Sequence, residues 1–173
     1  MYKYVLRWCR SILFTFCILC CVCVIVRTSP VAAAGSKLID VNLTQQRLVA
    51  YEGRQAVYST LILSGRSGLD TPVGTYSVIL KQSPTTFYSP FPPDSPNWYP
   101  PTHINHALEF KEGGYYLHDS WWHTVYGPGT NRMHYDPVYG EQNGSHGCVS
   151  MSDSAASWLY SWAPIGTTVR IHY

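Results

Sequence analysis

From Lys37 to the end of the chain, apolar residues come in short runs, and glycine, proline or a polar turn closes nearly every one. Runs of about four to eight residues are the length of strands and too short for ordinary amphipathic helices. Leu38, Val41 and Leu43 alternate with polar neighbours, and Arg47 to Tyr51 forms a second run. Glu52-Gly53-Arg54 reads as a hairpin turn into a third strand, Ala56 to Leu63. After the loop Ser64–Gly68, the Thr71-Pro72-Val73-Gly74 turn leads into a fourth strand, Tyr76 to Leu80. Ala107 to Lys111 and Tyr115 to His118 flank Gly113-Gly114, and Thr167 to Tyr173 closes the chain. One segment has helical spacing: Ala155, Trp158, Leu159 and Trp162 recur behind Ser152-Asp153-Ser154, which supplies an N-cap. The fold class is therefore mainly β, with one short helix.

Two stretches break the rhythm. Residues 84–101 carry seven of the twelve prolines, interleaved with Phe87, Tyr88, Phe91, Trp98 and Tyr99. They read as a rigid loop packed on its own rings, or as the wall of a cleft. Residues 123–144 are polar and punctuated by Gly and Pro, and are expected to be loop.

Hydrophobic residues make up 46% and charged residues 13% of the 173, which is the balance of one folded domain with a real core. The net charge of +2 arises from Lys3, Arg7, Arg10 and Arg27, ahead of the β-rich part. Beyond residue 35, acids outnumber bases, so nothing points to nucleic acid as a partner. Those early bases flank an apolar stretch, Ser11 to Val26, followed by Val31-Ala32-Ala33-Ala34 before Gly35. The order of basic flank, apolar run and small residues reads as a cleaved signal peptide or an uncleaved membrane anchor over 1–35. In either case residues 36–173 form a domain expected to be exported, touching membrane only through residues 11–26 if these are retained.

Five of the six cysteines lie in that leading segment; Cys148 is alone in the folded part and has no disulfide partner there. A lone cysteine is often just a small buried hydrophobe. Here it closes Ser145-His146-Gly147-Cys148, with a histidine two positions away and a glycine that admits close backbone approach. A thiol needs its proton withdrawn before it attacks, which favours a nucleophile with a base nearby. The candidate bases are His118, at the end of an apolar strand, His123, His134 and His146. His134 is expected to be solvated; His103, His106 and His172 have no informative context. Metal ligation is disfavoured, because neither C-x2-C pairs nor H-E-x-x-H occurs. A serine mechanism lacks G-x-S-x-G.

These residues resemble the L,D-transpeptidases of the YkuD type, cysteine enzymes of bacterial cell-wall cross-linking. The signature of that family is a strand-end histidine, a spacer, then [S/T]-H-G-C and an apolar residue, matched here by His118 and Ser145-His146-Gly147-Cys148-Val149. The likeness runs over about residues 37–173. It includes Ile39-Asp40-Val41, Gln46-Arg47-Leu48, Leu117-His118-Asp119 with Trp122-His123, and Gly166-Thr167-Thr168-Val169. Two features depart from the pattern: residues 127–143 look like an insertion, and Ser150 stands where the family usually has Asn or Arg.

The resemblance implies a YkuD-like β-sandwich that needs no cofactor or metal. Its partners would be peptidoglycan stem peptides, a donor tetrapeptide and an acceptor amine. Cys148 would be the nucleophile and His118 the base, with its second ring nitrogen on a main-chain carbonyl. Main-chain N–H groups at Gly147 and Cys148 would face the oxyanion, and Ser145, His146 and His123 would shape the site. A non-catalytic wall-binding module and an L,D-carboxypeptidase or other thiol amidase are the competing expectations.

Overall fold

The computed structural model describes residues 35–173; the leading segment read as a signal peptide or anchor lies outside the described residues. In chain order the strands are β1 (Lys37–Asn42), β2 (Arg47–Glu52), β3 (Gln55–Leu61), β4 (Gly74–Ser77), β5 (Leu80–Gln82), β6 (Thr85–Phe87) and β7 (Thr102–Ile104). Then come β8 (Ala107–Lys111), β9 (Tyr115–Asp119), β10 (His134–Asp136), β11 (Gly140–Gln142), β12 (Val149–Met151), the helix α1 (Asp153–Trp162) and β13 (Thr168–His172). Among the described residues no helix is long and apolar enough to cross a membrane.

Two main sheets face each other. The first has the order β3-β2-β1-β13-β4 and the second β12-β9-β8-β5. Alternation along the strands sends Ile39, Val41, Leu48 and Val169 from one sheet against Phe110, Leu117, Val149 and Met151 from the other. The small helix adds Ala155, Ala156 and Leu159 to the same core. Ser152 caps it as expected, its Oγ accepting from the Ala155 N–H at 3.3 Å. Among the described residues the chain is thus mainly β with one helix, as its pattern predicts, and the two facing sheets form the sandwich that the resemblance implies.

The expected third and fourth strands are both interrupted, for one reason. Apolar runs that look continuous in the sequence cross from one sheet to the other. Val78 donates to the Thr167 carbonyl beside the first sheet, while Ile79 donates to the Glu109 carbonyl in the second. The run from Tyr76 to Leu80 is therefore two strands, β4 and β5, meeting at a corner. Likewise β3 ends at Leu61, and Ile62 and Leu63 leave the sheet fully buried, Leu63 bridging to Ser150 of β12.

The segment 123–144, expected to be loop, contains the hairpin β10–β11. Its clamp is Asp136, fully buried, which accepts from the Thr124 N–H (2.6 Å) and hydroxyl (2.8 Å), and from the N–H groups of Val125, Val138 and Tyr139. Burial works to raise the Asp136 pKa, but these donors outweigh it and hold the carboxyl well below the usual range. Residues 84–101 begin with β6, paired to β7, and then run on as an ordered loop.

Candidate active site

Strand register builds the site. β12 lies parallel to β9 with Ser150 opposite His118, and Val149 opposite Leu117. Val149 and Leu117 point into the core, so Ser150 and His118 share the other face, and Cys148, two residues before Ser150, is directed to that face too. All three line one cavity of about 560 Å³, whose rim includes Phe87, Tyr99 and Pro100 from the proline-rich region. The wall reading of residues 84–101 fits this geometry, and the rings of Phe87, Phe91 and Tyr99 pack against Tyr116, His118 and His146 outside the segment.

The His118 ring is buried and carries two contacts. Its Nδ1 donates to the carbonyl of Asp119 at 2.6 Å, which fixes the tautomer and leaves the Nε2 lone pair free to accept. Nε2 receives a long hydrogen bond, 3.3 Å, from the Ser150 hydroxyl. Burial, opposed by the Asp119 carbonyl, lowers the His118 pKa, so the ring is a neutral acceptor at pH 7. The half-buried Cys148 thiol donates to the Gly114 carbonyl at 3.4 Å, at the turn between β8 and β9. Burial pushes its pKa up to about 11 against the pull of the Tyr116 N–H. Both shifts favour the neutral forms, a thiol on the Gly114 carbonyl and a neutral imidazole, over a preformed thiolate and imidazolium.

The turn carrying the thiol is held from both sides. Ser145 Oγ donates to the Cys148 carbonyl (2.6 Å) and accepts from the Gly147 N–H (3.1 Å). Gly147 sits at φ +112°, and a Cβ there would come within 2.9 Å of the Tyr115 ring, so glycine is required on both counts. Outside the turn, Ser145 N–H donates to Ser64 O and Arg66 N–H to Ser145 O, a short parallel bridge. That bridge is anchored by Gln46, buried and at φ +46°. Its amide donates to Leu43 O and Ser64 Oγ and accepts from the Ser64 N–H.

His146 is near Cys148 in sequence but is otherwise engaged. Arg66 Nη2 donates to His146 Nε2 at 2.9 Å and to Asn97 Oδ1 at 2.9 Å, while Nη1 reaches Gly144 O. Arginine only donates, so His146 Nε2 is an acceptor already in use. Burial and then Arg66 lower the pKa of His146, with the Asn97 main chain working the other way. The ring also packs against Tyr99, 5.1 Å between centroids.

His123 is 8% exposed and lines the cavity, and burial together with its neighbour His134 pushes its pKa down to about 4. His134, expected in solvent, is half-buried in β10 with its ring 6.1 Å from that of His123, because the hairpin folds back on Asp136. The structure thus brings Cys148, His118, Ser145, His146 and His123 around one cavity, whereas Gly147 shapes the turn beside it without lining it. It also adds the Gly114 carbonyl, at the turn that Gly113-Gly114 marks, and Arg66 and Gln46, whose partners His146 and Ser64 are distant in sequence.

Residues 36–171 match the L,D-transpeptidase catalytic domain of the YkuD family. The chain is 32% identical over 110 residues to "Probable L,D-transpeptidase 3" of Mycobacterium tuberculosis, covering 62% of this chain and 36% of that protein. Its fold resembles the L,D-transpeptidase from Mycobacterium smegmatis, with a TM-score of 0.66 at 21% identity over 80% of this chain and 59% of that one. It also resembles L,D-transpeptidase 3 from Mycobacterium tuberculosis in complex with a faropenem-derived adduct, with a TM-score of 0.64 at 23% identity over 80% and 60% of the two chains. The chain spans about a third of the curated relative it matches. By the extent of the domain match, this chain belongs to the YkuD L,D-transpeptidase catalytic-domain family.

Proposed function

We propose that the chain is a cysteine L,D-transpeptidase acting on peptidoglycan stem peptides outside the cytoplasmic membrane. The observation that carries the reading is the β12–β9 register, which pairs Ser150 with His118, so that Cys148, just before β12, lines the same cavity as His118. The Asp119 carbonyl holds His118 Nδ1–H, so Nε2 is the basic atom. In this mechanism Nε2 takes the thiol proton as Sγ attacks the carbonyl joining the third stem residue to the terminal D-Ala. The Ser150 hydroxyl rotates away from Nε2 as the proton arrives. The Gly147 N–H is committed to Ser145 Oγ, which leaves the Cys148 N–H as the oxyanion donor at the turn. The imidazolium returns its proton to the D-Ala amine as that bond breaks, leaving a thioester on Cys148. The side-chain amine of a second stem then attacks the thioester, and a 3→3 cross-link forms with the thiol restored.

The test is intact mass of the protein after incubation with a carbapenem, and then with a stem tetrapeptide plus an acceptor amine. One covalent adduct on wild type and none on Cys148→Ser, followed by D-Ala release and a cross-linked product, is the expected result. D-Ala release with only hydrolysed product would make it a carboxypeptidase. Binding to sacculi unchanged in Cys148→Ala, with no adduct on wild type, would make it a wall-binding module.

A further inference from the structure

At the end of β9 that carries His118, a second cluster lies on side chains the reaction does not use. Asp119 is fully buried. Its Oδ1 accepts from the His106 N–H at 2.7 Å, but its Oδ2, also buried, has no hydrogen-bond partner among the described residues. His106 Nδ1 is buried and likewise lacks a hydrogen-bond partner among the described residues. Asp153, the first residue of α1, brings its Oδ1 to 3.8 Å from His106 Nδ1, with Asn105 Nδ2 donating to the same oxygen at 2.9 Å. The three donor atoms lie within 4.8 Å of one another. A buried carboxylate oxygen left without a partner is costly, and two orphaned lone-pair atoms beside a third carboxylate share one remedy, a cation among them.

We infer that His106, Asp119 and Asp153 form a divalent transition-metal site of the zinc type. One imidazole nitrogen and two carboxylates are the donor set such an ion accepts, whereas magnesium and calcium favour oxygen alone. Two carboxylates also balance the charge of a dication. A tetrahedral zinc ion holds its ligands at about 2.0–2.2 Å, so the donors must draw inward. Asp153, 60% exposed at the helix start, and His106, in the short connection between β7 and β8, are placed to move. Their partial exposure also gives the ion an entry path and room for water as a fourth ligand. Loading would tie the end of β9 to the start of α1. Because Asp119 also offers its carbonyl to His118 Nδ1, the ion would steady the ring from behind without touching substrate.

The experiment uses the full, untagged chain with its six cysteines changed to serine, so that thiolates do not compete, stripped with chelator and titrated with ZnCl2. Calorimetry should show one saturable equivalent, and the thermal midpoint should rise by several degrees. MgCl2 at the same concentration should do neither. His106→Ala should abolish the equivalent. Asp153→Asn, a near-isosteric change at an exposed position, should weaken it by roughly tenfold or more while leaving the metal-free midpoint unchanged. His103→Ala, a histidine outside the cluster, should change nothing. No saturable equivalent, or one that survives both His106→Ala and Asp153→Asn, overturns the site and leaves a bridging water as the occupant of the cluster.

Discussion

His118 and His146 both line the cavity that holds Cys148, and they differ in what occupies Nε2. On His118 it meets a hydroxyl at 3.3 Å that can rotate away; on His146 it meets a guanidinium that can only donate. The histidine nearer in sequence is thereby locked into a scaffold of Arg66, Asn97 and the Gly144 carbonyl. The one thirty residues away is delivered by strand pairing with a lone pair to spare. Register, more than adjacency, selects the base.

The comparison breaks most sharply by substitution. His118→Ala should slow carbapenem acylation of Cys148 by about 10²–10⁴-fold, the usual worth of a positioned general base. His146→Ala should lower it by about tenfold or less, through loosening of Arg66 and the turn. Mass-spectrometric time courses on the two variants decide, and equal losses would sink the assignment.

Gln46→Ala tests the scaffold side. It strands the Ser64 N–H and hydroxyl beside the bridge that holds Ser145, and should cost about 2–3 kcal/mol in urea unfolding, with slower acylation as a secondary effect. A third outcome concerns His123, whose folded pKa of about 4 lies below the ordinary 6.5. Between these values the unfolded chain binds more protons than the folded one. The stability from keeping the ring neutral is therefore complete above pH 6.5 and is lost as pH falls toward 4. Allowing for screening by the open cavity, the loss is roughly 2 kcal/mol. A glutamine at His123 should flatten that part of the unfolding profile. The smallest effect belongs to Ser150→Ala, which removes a long hydrogen bond from the base and should change acylation by about threefold or less.

Much of this was legible in the residues. Ser152 announced its helix, Gly53 its hairpin, and the S-H-G-C turn its thiol, because capping, left-handed turns and nucleophile motifs are local. Interruptions at Ser77–Leu80 and Leu61–Leu63 were not legible, since an apolar run that changes sheets has the same periodicity as one that does not. Nor was the β10–β11 hairpin: its three-residue strands carry little apolar signal, and its anchor is one aspartate that gathers donors from two sides. Arg66 was invisible for a similar reason, as its partner His146 lies eighty residues away.

The raised thiol pKa bears on more than the reaction. Oxidants, like substrates, attack the thiolate and not the thiol. Burial, which pushes the Cys148 pKa up to about 11, keeps the thiolate scarce at neutral pH. The fold itself thus shields the sulfur from oxidants. Unfolding would return the sulfur to ordinary chemistry, so loss of structure and oxidative inactivation should proceed together.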